Sequence, residues 1–280
     1  MKRVEALQVV GEIAADQWGL FTTQQADAAG VNRTTLTRLV SAGIVDHVAR
    51  GVHLVVAAGT PNHLEEKSAW LRLAPSRRAW ERDAADQDNG VLSHRTACVL
   101  HELGDIPAPQ VEMTVPRRRT TRVPGIRLHR GDLARHEITT THDGLPVTTV
   151  ERTIKDLLVA RVDGGHLGGV LNDALLRRLV DVRRLLAVLA DCAPAYGIDR
   201  NDGLRLLQHL LHQAGADSAF DGRSAVAMTG EPGLEATATV QAIATQLAGL
   251  DTAQLRKVRA AVNAAIGEPD ENNPTPETER

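Results

Sequence analysis

The chain has 280 residues, enough for two ordinary domains, and its 42% hydrophobic and 24% charged residues are typical of a soluble globular protein. Aromatic residues make up only 2%, which argues against an aromatic platform that stacks the bases of single-stranded RNA. The formal net charge of −3 gives no general attraction to nucleic acid, so any affinity for DNA must come from local basic patches.

The first predicted elements are three helices. Apolar spacing predicts a helix over residues 4–18. A second, shorter helix begins at a threonine cap and ends near Gly30. Asn32 caps a third helix, which runs to about Ala42 and is followed by a glycine.

A predicted hairpin and a fourth helix come next. Two β-rich runs meet at Arg50-Gly51, a signal for a tight turn. Residues 61–82 are expected to form a helix, and residues 83–90 a loop. Helix, helix, turn, helix and hairpin together predict a winged helix-turn-helix within a DNA-binding domain of residues 1–88.

The third helix is predicted to have one apolar and one polar face. Leu36, Leu39 and Val40 are expected to face inward. The outward stripe that we expect to contact DNA consists of Arg33, Thr34, Thr37, Arg38 and Ser41. Arginine pairs with guanine in the major groove, and threonine contacts phosphates or thymine methyls. Arg50, at the hairpin tip, is expected to reach a phosphate or the minor groove. The same residues also suit an ordinary solvated helix or a protein contact.

Residues 89–215 are predicted to form a second, α+β domain. Val111–Val115 and Ile126–Arg130 are predicted strands, and an Asp-Gly hairpin turn is predicted at 142–144. The predicted helices span residues 93–103, 150–160, 166–178, 181–190 and 202–212. The predicted fold class is therefore α+β: a winged helix-turn-helix, then short antiparallel strands with helices. A helical extension is predicted over residues 216–266, followed by a disordered acidic tail over residues 267–280.

The loop between the two predicted strands of the second domain is strongly basic. Between Met113 and Arg135 the chain has seven arginines and a single acidic residue. The loop arginines that we expect to hold the DNA backbone are Arg117, Arg118, Arg119 and Arg122. A merely solvated loop, or a docking surface for an acidic face of a protein partner, is also compatible with this charge.

Several runs of the chain resemble the AbiEi-type antitoxins. The resemblance lies in the N-terminal runs Gly19–Ala26, Gly30-Val31, Leu39-Val40, Gly43-Ile44 and Arg50–Val52, and in the later runs Leu92–Ala97 and Gly144–Leu158. It covers about residues 5–160, extends more loosely to 215, and is closest to actinobacterial members, including mycobacterial ones. Residues 216–280 resemble nothing that we can name.

The resemblance implies a function. Such antitoxins repress their own operon by binding inverted repeats in its promoter, and they counteract a nucleotidyltransferase-like toxin encoded next door. The second domain then assists cooperative DNA binding and carries antitoxin activity, which implies a monomer or weak dimer that binds double-stranded DNA cooperatively. The family's basic positions fall on Arg33, Arg38 and Arg50. A winged-helix regulator without a toxin partner is the alternative.

An enzyme is the less favoured interpretation. A PD-(D/E)xK nuclease needs an acid-x-Lys pair on a strand, and Glu65-Glu66-Lys67 has this spacing but lies in a predicted helix. We therefore expect no catalytic residues, no metal and no cofactor. Cys98 and Cys192 lack zinc-site spacing and suit a reducing compartment. With no signal peptide and no apolar run of membrane-spanning length, the chain is expected to be cytoplasmic, with no membrane partner.

Overall fold

The N-terminal part of the chain folds into helices around a small antiparallel sheet. In the computed structural model, which describes residues 2–83, 89–119, 121 and 123–216, these elements are α1 (Arg3–Ala15), β1 (Leu20–Thr22), α2 (Thr23–Ala28), α3 (Arg33–Ser41), β2 (Val45–Ala49) and β3 (Val52–Val55). The sheet has the strand order β1-β3-β2, and both of its pairs are antiparallel. This order of elements is consistent with the predicted winged helix-turn-helix.

Side-chain caps set the bounds of the short helices, as the sequence predicts. The Thr22 hydroxyl accepts a hydrogen bond from the backbone of Gln25, whose side chain accepts one from the backbone of Thr22. Asn32 caps α3 by accepting a hydrogen bond from the backbone of Thr35 at 2.9 Å. Gly51 has a φ of 78°, the left-handed conformation that the tight turn between β2 and β3 requires.

The fourth helix, α4 (Leu64–Leu73), is shorter than the predicted helix over residues 61–82. Pro75 disfavours helical dihedrals at the residue before it, so the helix ends there. The chain continues through a single 3₁₀ turn at Ala79–Glu81. The apolar periodicity of the sequence continues past Pro75, but the helix does not. The prediction therefore placed the end of this helix too late.

The second part combines a five-stranded sheet with helices. Its elements are β4 (Val91–Leu92), α5 (His94–His101), β5 (Val111–Val115), β6 (Ile126–Arg130), β7 (Ile138–Thr140), β8 (Pro146–Thr148), α6 (Val150–Val159), α7 (Gly164–Leu176), α8 (Val182–Cys192) and α9 (Gly203–Gln213). The strand order is β6-β5-β4-β8-β7. The mixed α+β class is confirmed for the described residues, and the predicted strands at 111–115 and 126–130 are found at these positions.

The prediction that these strands are antiparallel is wrong for two of the pairs. β5 pairs with β6 in parallel, as β4 does with β8, whereas the β4–β5 and β7–β8 pairs are antiparallel. The segment 116–125 between β5 and β6 is far longer than a hairpin turn, which allows the chain to return to the starting end of the sheet before β6 begins. Within the described part of the five-stranded sheet, the β7–β8 connection, with its Asp-Gly turn, is the tight hairpin.

Two buried hydroxyl groups next to helix starts make no capping bond. Ser93 precedes α5, but its hydroxyl makes no capping bond and accepts a hydrogen bond from Thr114 at 2.9 Å. Thr149 caps α6, and no capping box forms between Thr148 and Glu151, because the Thr148 hydroxyl lies against that of Thr153 at 2.8 Å. Both hydroxyls are used in the interior of the protein rather than at a helix end.

The two sheets share one apolar core. α4 lies between them, and a single buried cluster joins Leu20 and Leu54 of the first sheet to Trp70 of α4 and to Leu92 and Met113 of the second sheet. Lys67 of α4 forms an ion pair with Asp143 in the β7–β8 turn. The division into domains at residue 88 stays a prediction, and these contacts cross it.

Two predicted segments fall largely outside the described residues. Apart from Ala216, these are the helical extension 216–266 and the acidic tail 267–280. Among the helices that the structure does describe, none is both long enough and apolar enough to span a membrane.

Candidate nucleic-acid interface

The exposed face of α3 carries all the residues that the sequence predicts for it. Leu36 and Leu39 are buried, with exposures of 4% and 0%, and anchor the helix to the N-terminal core. Val40 is half-buried at its edge. The residues predicted to contact DNA are all exposed, namely Arg33, Thr34, Thr37, Arg38, Ser41 and, in the hairpin turn, Arg50. This polar face is therefore free of the rest of the described chain.

α3 and the hairpin enclose an open groove of about 770 Å³. Arg33, Thr37 and Ser41 line it from α3, and Arg50 lines it from the β2–β3 turn. Apolar and aromatic side chains complete its wall, among them Leu36, Val40, His47 and His53. Four of the predicted residues thus lie around one concave surface, while Thr34 and Arg38 are exposed on α3 outside its lining.

Arg72, at the end of α4, also lines this groove, and the sequence analysis missed it. Burial lowers the pKa of Arg72 below its ordinary value, and the nearby Arg50 cation lowers it further. Arginine stays protonated even so, because its ordinary pKa lies far above neutrality. Two neighbouring guanidinium groups repel each other, and a bound anion such as a DNA phosphate relieves that repulsion.

His53 forms part of the groove wall and is a neutral residue there. Its Nε2 lies 3.0 Å from the Thr23 hydroxyl, and its ring stacks on Phe21 with the ring centroids 5.4 Å apart. Burial, together with the nearby His47, lowers the pKa of His53 to about 4. Near neutral pH His53 therefore adds no positive charge to the groove.

The basic loop between β5 and β6 lies next to the same end of α4. Arg117 and Arg118 are exposed, whereas Arg119 is half-buried and donates a hydrogen bond to the Leu73 carbonyl at 2.9 Å. Arg122 lies outside the described residues. Because Leu73 follows Arg72, the loop and the groove meet at the C-terminal end of α4.

A second polar cluster, which the sequence analysis did not predict, lies in the five-stranded sheet. It consists of His94, Glu112 and His129. His129 Nε2 lies 2.7 Å from the Glu112 carboxylate, and its ring stacks on that of His94. Burial and the neighbouring His129 lower the pKa of His94 to about 4. The three residues lie on different elements, so no local motif identifies them.

The acid-x-Lys spacing at Glu65–Lys67 lies in α4, as predicted, and not on a strand. Lys67 is almost fully buried and its ammonium pairs with Asp143, which holds it away from Glu65 and from solvent. This arrangement does not resemble the strand-borne set that a PD-(D/E)xK nuclease requires.

The comparisons with known proteins agree with the resemblance seen in the sequence over part of the chain. No curated protein matches the chain. The similarity to AbiEi antitoxins is confirmed over the segment from α1 to the end of the hairpin, whereas the similarity of the later runs stays a prediction. Residues 8–56, which include α3 and Arg50, match the family described as a transcriptional regulator, AbiEi antitoxin.

Proposed function

We propose that the protein is an antitoxin and autoregulatory repressor that binds inverted repeats in its own promoter through a winged helix-turn-helix. The observation that carries this proposal is the groove in which Arg33, Thr37 and Ser41 of α3 face Arg50 and Arg72. The family match over residues 8–56 supports the same assignment. α3 is the recognition helix of this proposal, and the β2–β3 hairpin is its wing.

The two sets of arginines have different roles in the proposal. In the proposed complex, Arg38 and the exposed hydroxyls of α3 face the major groove of the DNA, where arginine reads the edge of guanine. Arg50 and Arg72, which flank the helix, bind phosphates and fix its position on the duplex without reading sequence. The basic loop adds Arg117 and Arg118 as further backbone contacts.

A gel-shift titration with the DNA upstream of the protein's own gene tests the proposal. We expect Arg38→Ala to weaken binding to this fragment by about 1–3 kcal/mol while leaving binding to unrelated DNA nearly unchanged. A double substitution of Arg50 and Arg72 by alanine should weaken binding to both fragments, because phosphate contacts are independent of sequence.

Arg183→Ala is the matched control, since Arg183 is an exposed arginine of α8, on a helix that does not line the groove. This variant should bind like the wild type. If all the variants bind the promoter fragment equally, α3 is not the element that reads DNA, and the proposal fails.

The toxin partner rests on the family match and needs its own experiment. Co-expression with the product of the neighbouring reading frame should restore growth if that product is a nucleotidyltransferase-like toxin. Footprinting of the promoter should show two protected half-sites related by inversion. Specific promoter binding without growth rescue would favour the alternative, a winged-helix regulator that has no toxin partner. Cleavage of plasmid DNA in the presence of Mg²⁺ would instead favour a nuclease.

A further inference from the structure

The two faces of strands β5 and β6 differ in polarity. Val111 and Met113 of β5 pack into the apolar core shared with α4. The alternate residues of β5 are polar: Glu112 pairs in register with Arg127, and Thr114 pairs with His129. Because side chains alternate along a strand, these polar residues share the opposite face, toward α5. Burying a carboxylate such as that of Glu112 costs free energy unless the charge is paired. The groups that balance the Glu112 charge on this face therefore need to be identified.

Three ligand-type side chains converge on this face. His94 comes from the first residue of α5, Glu112 from β5 and His129 from β6, and one nitrogen or carboxylate oxygen of each lies within 4.8 Å of the others. His129 Nε2 is 2.7 Å from Oε2 of Glu112. The His94 and His129 rings are stacked, with centroids 3.6 Å apart and planes 13° apart, so one ring must turn out of the stack before both nitrogens can bind the same ion. Two imidazoles and one carboxylate form a known ligand set for zinc.

A buried carboxylate, that of Asp156, lies near Nδ1 of His94. Asp156 is 7% exposed, and its Oδ2 is a buried atom without a hydrogen-bond partner. This oxygen lies 4.0 Å from Nδ1 of His94, and the Ser93 hydroxyl lies 2.9 Å from the same nitrogen. With Nδ1 hydrogen-bonded to the Ser93 hydroxyl, Nε2 of His94 is left for a ligand. Histidines that bind metals generally have such an oxygen partner on their second nitrogen.

A cavity of about 220 Å³ opens beside the cluster. It is lined by His94, Glu112 and His129 together with apolar residues near the end of α6, including Leu157 and Val162. This volume holds an ion and several water molecules, each of which takes about 30 Å³. A metal bound by three protein ligands would therefore have room for a fourth ligand from solvent.

We propose that His94, Glu112 and His129 bind a divalent transition-metal ion of the Zn²⁺ class, with a water molecule from the cavity as the fourth ligand. When the ion binds, His129 and Glu112 each bond to it instead of to each other, and its charge neutralises the buried Glu112 carboxylate. The Ser93 hydroxyl, 2.9 Å from Nδ1 of His94, accepts its proton in the tautomer that presents Nε2 to the ion. Sequence spacing does not indicate this site, because its ligands come from three separate elements.

The neighbouring arginines are compatible with a cation. Arg152 is held by Asp156 and Glu137, each at 2.8 Å, so that its charge is already balanced. Arg95 lies 3.8 Å from Oε1 of Glu112, which leaves Oε2 to the metal.

Metal binding to the untagged, full-length protein tests the proposal. After the protein has been treated with a chelator and dialysed, isothermal titration with Zn²⁺ should show one high-affinity site per chain. The midpoint of thermal unfolding should rise with Zn²⁺, because a ligand that binds the folded state stabilises it. X-ray absorption of the zinc-loaded wild type should show two imidazole ligands and one carboxylate. No uptake by the wild type, or a different ligand set, would overturn the proposal without any variant.

Substitutions then assign the ligands. Glu112→Gln and His129→Gln should weaken Zn²⁺ binding by more than the roughly 10–100-fold that loss of an outer-shell partner costs, and Ser93→Ala should fall within that range. His136→Gln, at an exposed histidine outside the cluster, should bind Zn²⁺ like the wild type. Circular dichroism establishes that each variant is folded. Equal Zn²⁺ affinity in the wild type and a folded Glu112→Gln variant would also overturn the proposal.

Discussion

Two adjacent glycines of α7 have opposite surroundings. A Cβ added to Gly168 would lie 2.1 Å from the Leu210 carbonyl oxygen and 2.7 Å from Cβ of Ala214, so α7 and α9 approach each other at this residue. A Cβ on Gly169 would meet nothing within 4 Å. The first glycine therefore permits the packing of the two helices, while the second only adds freedom to the unfolded chain.

We predict opposite effects of alanine at these two positions. Gly168→Ala should lower the free energy of unfolding by about 1–3 kcal/mol or more, because the carbonyl at 2.1 Å belongs to the backbone and cannot rotate away. Gly169→Ala should raise it by up to about 1 kcal/mol, since alanine is the better helix former. Urea denaturation of the two variants measures both values. Similar effects at both sites would contradict the close approach of α7 and α9.

His53 gives a prediction for the pH dependence of stability. The pKa of His53 is about 4 in the folded protein, below its ordinary value, so the unfolded chain takes up this proton first as the pH falls. The contribution of His53 is constant above the unfolded pKa of 6.5 and is lost as the pH falls from there toward about 4. We therefore expect the melting temperature to fall on acidification through this range.

The variant His53→Phe tests the assignment to this residue. Phenylalanine retains the stacking on Phe21 but does not titrate, so the fall in melting temperature should be smaller than in the wild type. Part of the fall should persist, because the pKa of His94 is also lowered to about 4. If the melting temperature falls by the same amount in the variant and the wild type across this pH range, His53 is not responsible.

At the scale of elements, α4 connects the two basic surfaces. Arg72 contributes to the groove, and the next carbonyl, that of Leu73, accepts the hydrogen bond from Arg119 that holds the basic loop. The two exposed arginines of that loop, Arg117 and Arg118, are thereby held near the proposed DNA path. We therefore expect a duplex bound to α3 in the proposed way to pass close to this loop.

We predict that replacing Arg117 and Arg118 by serine reduces the salt dependence of DNA binding. Each phosphate contact that is lost should lower the slope of log affinity against log salt by about 1. Gel shifts at several salt concentrations measure this slope. Replacing Arg183 and Arg184, two exposed arginines of α8, is the matched control and should leave the slope unchanged. If the slope is unchanged in the loop variant but toxin rescue fails, the loop contacts the toxin instead.

Local signals in the sequence predicted the short elements well. The Asn32 cap, the Arg50-Gly51 turn and the strands around Met113 and Leu128 depend on neighbouring residues, and the structure contains all of them. The exposed stripe of α3 followed from the positions of Leu36 and Leu39.

Features that depend on distant residues were not predictable in the same way. The parallel pairing of β5 with β6 depends on the course of a long loop, and the position of Arg72 depends on how α4 packs against the first sheet. Arg119 is half-buried and donates a hydrogen bond to the Leu73 carbonyl, which the sequence did not indicate, and its contact with DNA stays a prediction. The His94 cluster needs three elements to come together. In each case the deciding contact joins residues that are far apart in sequence.

At the scale of the molecule, the Lys67–Asp143 ion pair joins α4 to the β7–β8 turn of the five-stranded sheet. The Lys67 side chain is 2% exposed and that of Asp143 is 33% exposed. Burial alone would raise the pKa of Asp143, but hydrogen bonds from Lys67 and Thr141 outweigh it, so that the pKa lies below its ordinary value. The lysine is almost fully buried, and Asp143 is the carboxylate with which its ammonium pairs.

We predict that Asp143→Asn destabilises the protein more than Lys67→Met does. Asparagine leaves a buried ammonium without a counter-ion, which should cost somewhat less than the roughly 3–5 kcal/mol typical of fully buried pairs, because Asp143 is partly exposed. Lys67→Met leaves only a carboxylate that water can reach. The double variant should recover most of the loss, as measured by chemical denaturation. Equal losses in the two single variants would show that the buried charge is not the cause.

Two tryptophans lie at the contact between α4 and the two sheets, where their fluorescence can report on this contact. Trp18, just before β1, meets Trp70 of α4 edge to face with ring centroids 5.9 Å apart, and its indole N–H donates to the Asp143 carbonyl at 2.6 Å. The guanidinium of Arg82 lies 3.4 Å above the Trp70 ring. Trp80 is 68% exposed and adds a solvent-quenched background. Separation of the two sheets would hydrate the paired indoles and shift their fluorescence to longer wavelength. Tryptophan fluorescence of the unlabelled protein would therefore report whether the two sheets separate when DNA is added.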